Sequence, residues 1–269
     1  MNQSSFPKQS QGLQPKVLMY HGIVSEAGDI PPEREPGAEL YDVGHDVFRE
    51  QMVWIRDQGV FVSTLTKQTD MGGRHPLVLT FDDGMMNNFT RAWPVLREFH
   101  FPAYFFITVA RIGQPGYMAW ENLRELQDHG MIIGSHGMTH QLLVERSRED
   151  VGEELHKSRQ ILQENLGASV ECFSIPRGFA DRYVIDQARE AGYRHIFTSQ
   201  PRCFGGDGCI GRVAVKSSWS RARFRSAVAG RTPLAEKVAG WGKDAVISLL
   251  GPGRYDRWRA RWMSKGSDA

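Results

Sequence analysis

The sequence has few cysteines and no long hydrophobic run. Only 3 of its 269 residues are cysteine, too few for a framework of disulfides to hold a chain of this length. No apolar stretch approaches the roughly 18 residues that a membrane-spanning helix needs. The opening segment, MNQSSFPKQSQGLQPK, lacks the apolar core of a secretory signal. We therefore expect a protein of the cytoplasm or of the inner face of the membrane.

The composition excludes fibrous, disordered and coiled-coil chains, because 41% hydrophobic and 24% charged residues are typical of a globular protein. The net charge of +2 is unevenly distributed, because the segment from Arg212 to the last residue contains 13 lysines and arginines but only 4 acidic residues. No signature of a nucleic-acid-binding fold accompanies this basic tail, so we predict no nucleic-acid partner. The tail is either a solvated helical surface or a peripheral membrane contact.

Strand-like and helix-like segments alternate along the chain, which indicates parallel βα units. We predict strands at 16–21, 61–65, 77–81, 102–108, 131–135, 171–175, 193–198 and 210–215, and helices at 48–58, 88–99, 119–129, 148–166 and 181–191. Seven or eight such units close most simply into a (β/α) barrel. The predicted organisation is a flexible start at 1–15, a barrel at 16–215 and a basic helical extension at 216–269. The acidic segment 25–44, rich in proline and glycine, is predicted to be a long functional or mobile loop.

Three polar clusters directly follow apolar strands. They are Thr80–Gly84 (TFDDG), His136–His140 (HGMTH) and Pro176–Phe179 (PRGF). In a parallel barrel the carboxyl ends of the strands meet at one rim, where the active sites of such folds lie. We therefore expect the three clusters to converge.

The clusters together contain the ligands of a divalent metal site. Alone, Asp82 and Asp83 could form a turn or a helix cap, and the pair His136 and His140 could be incidental. Together they supply two imidazoles, one carboxylate ligand and one spare carboxylate. That set matches a catalytic site with three protein ligands and an open position for water, and imidazole suits zinc or cobalt.

TFDDG, followed some fifty residues later by SHGMTH, resembles the motifs of the NodB-type polysaccharide deacetylases, carbohydrate esterases that remove acetyl groups from sugars. The segments LMYHGI, VFREQMVWIRDQG and AGYRHIFTS are similar to that family as well. The resemblance extends from about Lys16 to Val215 and implies a distorted (β/α) barrel.

The resemblance implies roles for individual residues. Asp83, His136 and His140 correspond to the family's metal ligands, and Asp82 to its general base. The third motif of the family, which lines the substrate groove and donates a backbone N–H to the oxyanion, corresponds to the run Pro176, Arg177 and Gly178. The implied cofactor is one divalent ion, zinc before cobalt, manganese or nickel. The implied substrate is an N-acetylated sugar of a glycan or glycolipid, and the implied setting is surface-polysaccharide biosynthesis.

The sequence departs from the family pattern in two places. The arginine that orients the base in many members is replaced by Ser174, with Arg177 three positions along. The C-terminal Leu-x-His, whose imidazole is the general acid, is missing, since no histidine follows His195. In a closed barrel the first strand neighbours the last, so His21 could serve as the acid. Alternatively, His21 is a packed structural residue and water protonates the amine.

Two rival functions remain open at the level of sequence: hydrolysis of a non-sugar amide, and sugar binding with weakened turnover. Tyr117 and Trp120 could stack on a sugar or belong to the core. Cys203 and Cys209 are expected to be unpaired thiols. In the tail, an apolar stripe of Leu234, Val238, Trp241 and Leu249, and arginines interleaved with aromatic residues from Arg254 to Trp262, could contact a membrane or pack on the barrel.

Overall fold

A computed structural model describes residues 16–65, 76–199, 209–231, 249–251 and 253–255. The predicted flexible start, Cys203, and all of the tail at 232–248 and 256–269 lie outside these residues. The membrane contact expected of the tail therefore stays a prediction. Among the described residues, no helix combines the length and the apolar character needed to cross a membrane.

Eight parallel strands form one sheet. They are β1 (Lys16–Tyr20), β4 (Leu77–Phe81), β5 (Ala103–Ile107), β6 (Ile132–Ser135), β7 (Cys172–Ser174), β8 (His195–Thr198), β9 (Cys209–Gly211) and β10 (Val213–Ala214). A separate parallel pair consists of β2 (Ile23–Val24) and β3 (Val43–Gly44). The α-helices are α1 (His45–Asp57), α2 (Trp93–Glu98), α3 (Trp120–Asp128), α4 (Arg148–Leu166), α5 (Arg182–Glu190) and α6 (Arg221–Val228).

The sheet is nearly closed, because its two edges follow each other in the chain. The strand order is β10-β1-β4-β5-β6-β7-β8-β9, and only Arg212 separates β9 from β10. β9 pairs with β8, and β10 pairs with β1. One segment, 209–214, therefore joins the last strands to the first, and the structure is the distorted (β/α) barrel that the sequence predicts.

Two apolar clusters occupy the two faces of the sheet. Leu77, Leu79 and Phe81 belong to the larger cluster, which also contains the buried faces of the helices. Val78 belongs to a smaller cluster that includes Phe106 and other strand residues. Because successive side chains of a strand point to opposite faces, Thr80 and Asp82 follow Val78 toward the interior of the barrel. The alternation in β4 thus directs the polar end of the strand inward.

Three predicted elements differ from the structure. Residues 61–65 are not a strand and contribute only a bridge between Val62 and Leu77. The helix predicted at 88–99 is divided into a π-turn over Asn88–Ala92 and then α2. Pro94 lies in the first turn of α2, where a missing N–H costs no helical hydrogen bond. The last predicted strand is interrupted at Arg212, whose side chain has a role in the site.

Candidate metal centre and active site

The three polar clusters meet at one end of the barrel, as predicted. Asp82 and Asp83 follow the last residue of β4, and His136 follows the last residue of β6. Pro176 begins a short 3-10 turn two residues after the end of β7. Since all these strands are parallel, their carboxyl ends lie at the same rim.

Asp83, His136 and His140 form a compact triad. Each offers one ligand atom, and these atoms all lie within 4.8 Å of one another. Asp83 Oδ1 is 3.6 Å from His136 Nε2 and 3.3 Å from His140 Nε2. Asp83 Oδ1 is buried and has no hydrogen-bond partner among the described residues. A buried carboxylate oxygen without a partner is costly, and a cation placed between it and the two nitrogens would satisfy it.

Both histidines of the triad are held so that Nε2 faces Asp83. His136 Nδ1 is 2.8 Å from the carbonyl oxygen of Ser174, and His140 Nδ1 is 2.8 Å from Glu35 Oε1. Because these oxygens can only accept, each Nδ1 carries a proton, and Nε2 is the nitrogen of each ring that can bind a metal ion. Burial lowers the pKa of His136 to about 4, so this imidazole is neutral, as a metal ligand must be.

Three residues at this rim have a left-handed backbone conformation. Asp83 has φ 75°, His140 φ 62° and Arg177 φ 60°. This left-handed region is uncommon for residues other than glycine and persists where the surrounding structure enforces it. In these three positions it redirects the chain directly after a strand or a turn at the rim.

Arg212 holds Asp82, and this corrects the expectation that the base lacks an orienting arginine. Arg212 Nη1 donates to Asp82 Oδ1 at 2.7 Å and Nη2 donates to Oδ2 at 2.7 Å. Ser174, which stands where the arginine was expected, completes the contact: its Oγ donates to Asp82 Oδ2 and accepts from Arg212 Nη2. Arg177 is exposed instead. The guanidinium therefore reaches the base from the closing strand of the barrel.

The surroundings of Arg212 explain how a full charge is accommodated inside the barrel. The side chain is 1% exposed, and its guanidinium lies over the rings of Phe106 and Phe197 at 5.4 and 5.9 Å. In the sequence, Arg212 is indistinguishable from the first residue of the basic tail. The sequence signal for the role of Arg212 is its position between strand residues, because a cation that is buried at such a position needs an anionic partner.

Charge keeps two carboxylates of the site ionised. Burial opposes ionisation of Asp82, but the positive charge of Arg212 and its hydrogen bonds to the carboxylate outweigh it, so the pKa of Asp82 lies well below its ordinary value. Partial burial likewise opposes ionisation of Glu35. The hydrogen bond from His140 and the charges of His140 and Arg111 hold the pKa of Glu35 below its ordinary value as well.

His21 follows the last residue of β1 on the same rim and is partly exposed. It lies close enough to Asp82 to contribute to the lowered pKa of that carboxyl. Asn88 Nδ2 donates to the backbone oxygen of His21 at 2.6 Å, and the ring of Tyr41 lies 5.0 Å from the imidazole. His21 Nδ1 is buried without a hydrogen-bond partner among the described residues. The position is the one predicted, while the acid role stays a prediction.

The third motif forms one wall of the rim. Pro176 has no N–H, and the N–H of Gly178 donates to the carbonyl oxygen of Ile175 at 3.0 Å, so neither of these two supplies the predicted oxyanion donor. Gly178 has φ 74°, and a Cβ there would lie 1.6 Å from Ser199 Oγ. Only glycine fits this turn. The groove-lining role predicted for Arg177 stays a prediction.

Glu154 supports the loop 136–140 from below. This residue of α4 is buried, and Oε2 accepts from the backbone N–H groups of Met138 and Thr139 at 2.7 and 3.0 Å, while Oε1 accepts from the Thr139 hydroxyl. The sequence prediction missed it. Its spacing from Val151 and Ser158 on the inward face of α4 could have identified it, because a buried glutamate at helical spacing implies a specific partner.

The weaker candidates are not members of the triad. Tyr117 is buried and donates its hydroxyl to the backbone oxygen of Glu33 at 3.1 Å, and Trp120 packs against the main core. Neither is an open platform for a sugar. Cys209 is buried, and the unpaired thiol expected of it stays a prediction. His195 begins β8 and so lies at the opposite end of the strand from the site.

The donor set fits a divalent ion. Two imidazoles converge with one carboxylate oxygen that accepts no hydrogen bond from the described residues, and each imidazole is oriented by an acceptor on its far nitrogen. Such outer contacts are a regular feature of metal sites. A cavity of about 640 Å³ borders this centre and includes Glu35, Arg111 and Tyr117 in its lining.

Comparison with known proteins identifies relatives of the chain. The family model for polysaccharide deacetylases matches residues 70–196, a range that contains the triad and Asp82 but neither His21 nor Arg212. YxkH of Bacillus subtilis, whose name assigns it to the polysaccharide deacetylases, is 25% identical over 217 residues, covering 77% of this chain and 74% of YxkH.

Two further relatives extend the comparison. The poly-β-1,6-N-acetyl-D-glucosamine N-deacetylase of Escherichia coli is 21% identical over 231 residues, which cover 68% of this chain but only 33% of that enzyme. Among solved structures, a polysaccharide deacetylase from Bacillus cereus superposes with a TM-score of 0.70 at 25% identity, over 80% of this chain and 69% of that one.

Proposed function

We propose that the chain is an amide-bond hydrolase of the polysaccharide deacetylase type, the family whose model matches residues 70–196, and that it is a metal-dependent enzyme that removes the acetyl group from an N-acetylated sugar of a glycan or glycolipid. The observation that carries the proposal is the juxtaposition of a spare carboxylate with a ligand triad. Asp82 Oδ2 lies 3.8 Å from His136 Nε2, yet Asp82 is held by Arg212 rather than by the triad. A site that only bound metal or sugar would need no such base.

Asp83, His136 and His140 would hold the ion. When bound, a divalent ion would polarise the acetyl carbonyl and lower the pKa of a water at its open position. The protein contributes neutral imidazoles, a buried carboxylate, and a rim from which the bulk of the solvent is excluded.

Asp82 is placed to accept the proton of the attacking water. Because Arg212 keeps it ionised, the carboxylate is available as an acceptor throughout the neutral pH range. The two hydrogen bonds from Arg212 and one from Ser174 fix the plane of the carboxylate. A base held in one orientation loses little entropy when it meets the water.

His21 is placed to deliver a proton to the departing amine. It lies on the same rim as Asp82, on the strand next to β4, so an acid and a base can act from two sides of one scissile bond. A protonated imidazole donates more readily than water does at neutral pH. In this proposal His21 takes the role of the histidine that the family pattern places near the C-terminus.

The substrate class is supported by the relative whose name specifies poly-β-1,6-N-acetyl-D-glucosamine. We propose an N-acetylhexosamine polymer or a lipid-linked precursor of one, acted on during surface-polysaccharide biosynthesis. The cavity of about 640 Å³ beside the triad has the dimensions of a sugar-binding cleft.

The test combines metal analysis with an acetate-release assay. The purified chain should contain about one equivalent of a divalent ion and release acetate from N-acetylglucosamine oligomers, with β-1,4- and β-1,6-linked series compared. His136→Ala and His140→Ala should lose metal and acetate release together. Cleavage of non-sugar amides alone would reassign the substrate, and metal-independent turnover in both variants would refute the site.

A further inference from the structure

The loop 25–42, between β2 and β3, is fastened to the rim of the barrel at several points. Asn87 Nδ2 donates to the backbone oxygen of Asp29 at 2.8 Å, and Arg91 pairs with the carboxylate of Asp29 at 3.0 Å. The hydroxyl of Tyr117 donates to the backbone oxygen of Glu33 at 3.1 Å. These contacts place Glu35, two residues after Glu33, beside the ligand triad, although Glu35 is 105 residues from His140 in the chain.

One oxygen of Glu35 joins two groups of the site. Glu35 Oε1 accepts from His140 Nδ1 at 2.8 Å and from Arg111 Nη2 at 2.5 Å. Arg111 Nη1, in turn, is 3.5 Å from Asp83 Oδ1. The contacts form a closed circuit, from Asp83 through Arg111 and Glu35 to His140 and back to Asp83.

The charges in this circuit oppose metal binding unless Glu35 is present. Arg111 and a divalent ion are both cations, and both are attracted to Asp83 Oδ1. A guanidinium this close to a ligand oxygen weakens the ligand and repels the ion. The carboxylate of Glu35 pairs with the other nitrogen of Arg111, and so offsets its charge and draws the guanidinium away from Asp83.

We propose that Glu35 is a positioning residue of the metal centre, which fixes the imidazole of His140 and keeps Arg111 from competing with the ion for Asp83. This inference rests on the metal-dependent function proposed above. It assigns to the loop 25–42 a part in the ligand sphere that lies outside the range matched by the family model.

The test measures zinc affinity by competition with a chromogenic chelator. Glu35→Ala removes both the acceptor for His140 and the charge that offsets Arg111, and should weaken zinc binding by about ten- to a hundredfold. Glu35→Gln keeps an acceptor oxygen but removes the charge, and should also weaken binding. Glu39→Gln, an exposed glutamate of the same loop, is the matched control and should bind zinc as the wild type does.

A second variant separates the two effects of Glu35. If Arg111 competes with the ion, the double variant Glu35→Gln with Arg111→Gln should recover affinity to within a few-fold of the wild type, because the competing cation is gone. A double variant that binds no better than Glu35→Gln would overturn the part assigned to Arg111. Thermal midpoints of the metal-free variants near that of the wild type would show that the barrel is intact.

The outcomes distinguish this inference from the proposed function. A wild-type chain that neither binds zinc nor releases acetate contradicts the function itself. A wild-type chain that does both, with Glu35→Ala and Glu35→Gln binding zinc within twofold of it, overturns the inference about Glu35 and leaves the function standing.

Discussion

Arg212 illustrates how a single buried charge can tie the catalytic base to the fold. Its guanidinium is almost fully buried and makes two hydrogen bonds of 2.7 Å with Asp82. Breaking a buried ion pair by removing one partner leaves the other charge uncompensated in a medium of low dielectric constant. The same contact therefore stabilises the barrel and orients the base.

Replacing Arg212 should reduce both stability and turnover. We expect Arg212→Gln to lower the free energy of unfolding by about 3–5 kcal/mol. Arg212→Lys keeps the charge but loses the bidentate contact with Asp82, so kcat of this variant should fall as well. Urea unfolding and kcat for acetate release are the measurements. Arg221→Gln, which removes an exposed ion pair with Glu50, is the control and should change stability by less than about 1 kcal/mol. Equal stability losses in the two glutamine variants would contradict the account of Arg212.

Asp82→Asn should separate the base from the ligands. The amide cannot accept a proton from water, so kcat should fall about 10²- to 10⁴-fold, while zinc content stays near that of the wild type because Asp83 and the histidines remain. Metal analysis and single-turnover acetate release on the same preparation provide the comparison. A near-normal kcat would mean that another group takes the proton.

His21→Gln tests the proposed acid. Loss of a proton donor to the amine should lower kcat about 10²- to 10⁴-fold without loss of metal. Acetate release from an aryl acetate ester, whose leaving group needs no proton, should be nearly unaffected. If amide and ester turnover fall equally, His21 has a structural role.

At the scale of secondary-structure elements, the helix positions and the convergence of the polar clusters could be predicted from the sequence. α4 has the predicted bounds, and Phe48, Met52 and Ile55 form the buried face of α1. These features depend on local periodicity and on the parallel arrangement of strands. The contacts of Glu35 and Arg212 could not be predicted in this way, because they join residues 105 and 130 positions from their partners.

The support of the loop 136–140 by α4 leads to a prediction about this element. Glu154→Gln removes the negative charge and leaves one acceptor oxygen for the two backbone N–H groups and the Thr139 hydroxyl, so the variant should lose about 1–3 kcal/mol of stability and bind zinc more weakly. Urea unfolding and zinc competition would measure the two effects. The neighbouring Glu153→Gln, which alters only an exposed pair with Lys157, should change neither by more than about 0.5 kcal/mol. An unaltered Glu154→Gln variant would refute the role of this carboxylate.

At the scale of the whole molecule, the ion should stabilise the barrel, because its ligands come from the segment that follows β4 and from the loop that follows β6. A free zinc concentration of a hundred times Kd would add about 2.7 kcal/mol, which raises the thermal midpoint of a chain of this size by roughly 5–10 °C. Differential scanning calorimetry with and without a chelator would measure the shift. His140→Ala should show little of it, and a full shift in that variant would place the ion elsewhere.

The closure of the barrel by the segment 209–214 has a consequence for biosynthesis. A ribosome makes Asp82, Asp83 and both histidines of the triad long before it makes Arg212, so a nascent chain ending before residue 209 carries every ligand but lacks the partner of the base and the strand that joins β8 to β1. Until that segment emerges from the exit tunnel, the interior of the barrel holds an unpaired carboxylate and two open sheet edges. Catalytic competence should therefore be acquired in one late step of translation rather than gradually, and chains stalled earlier would be left to chaperones and proteases.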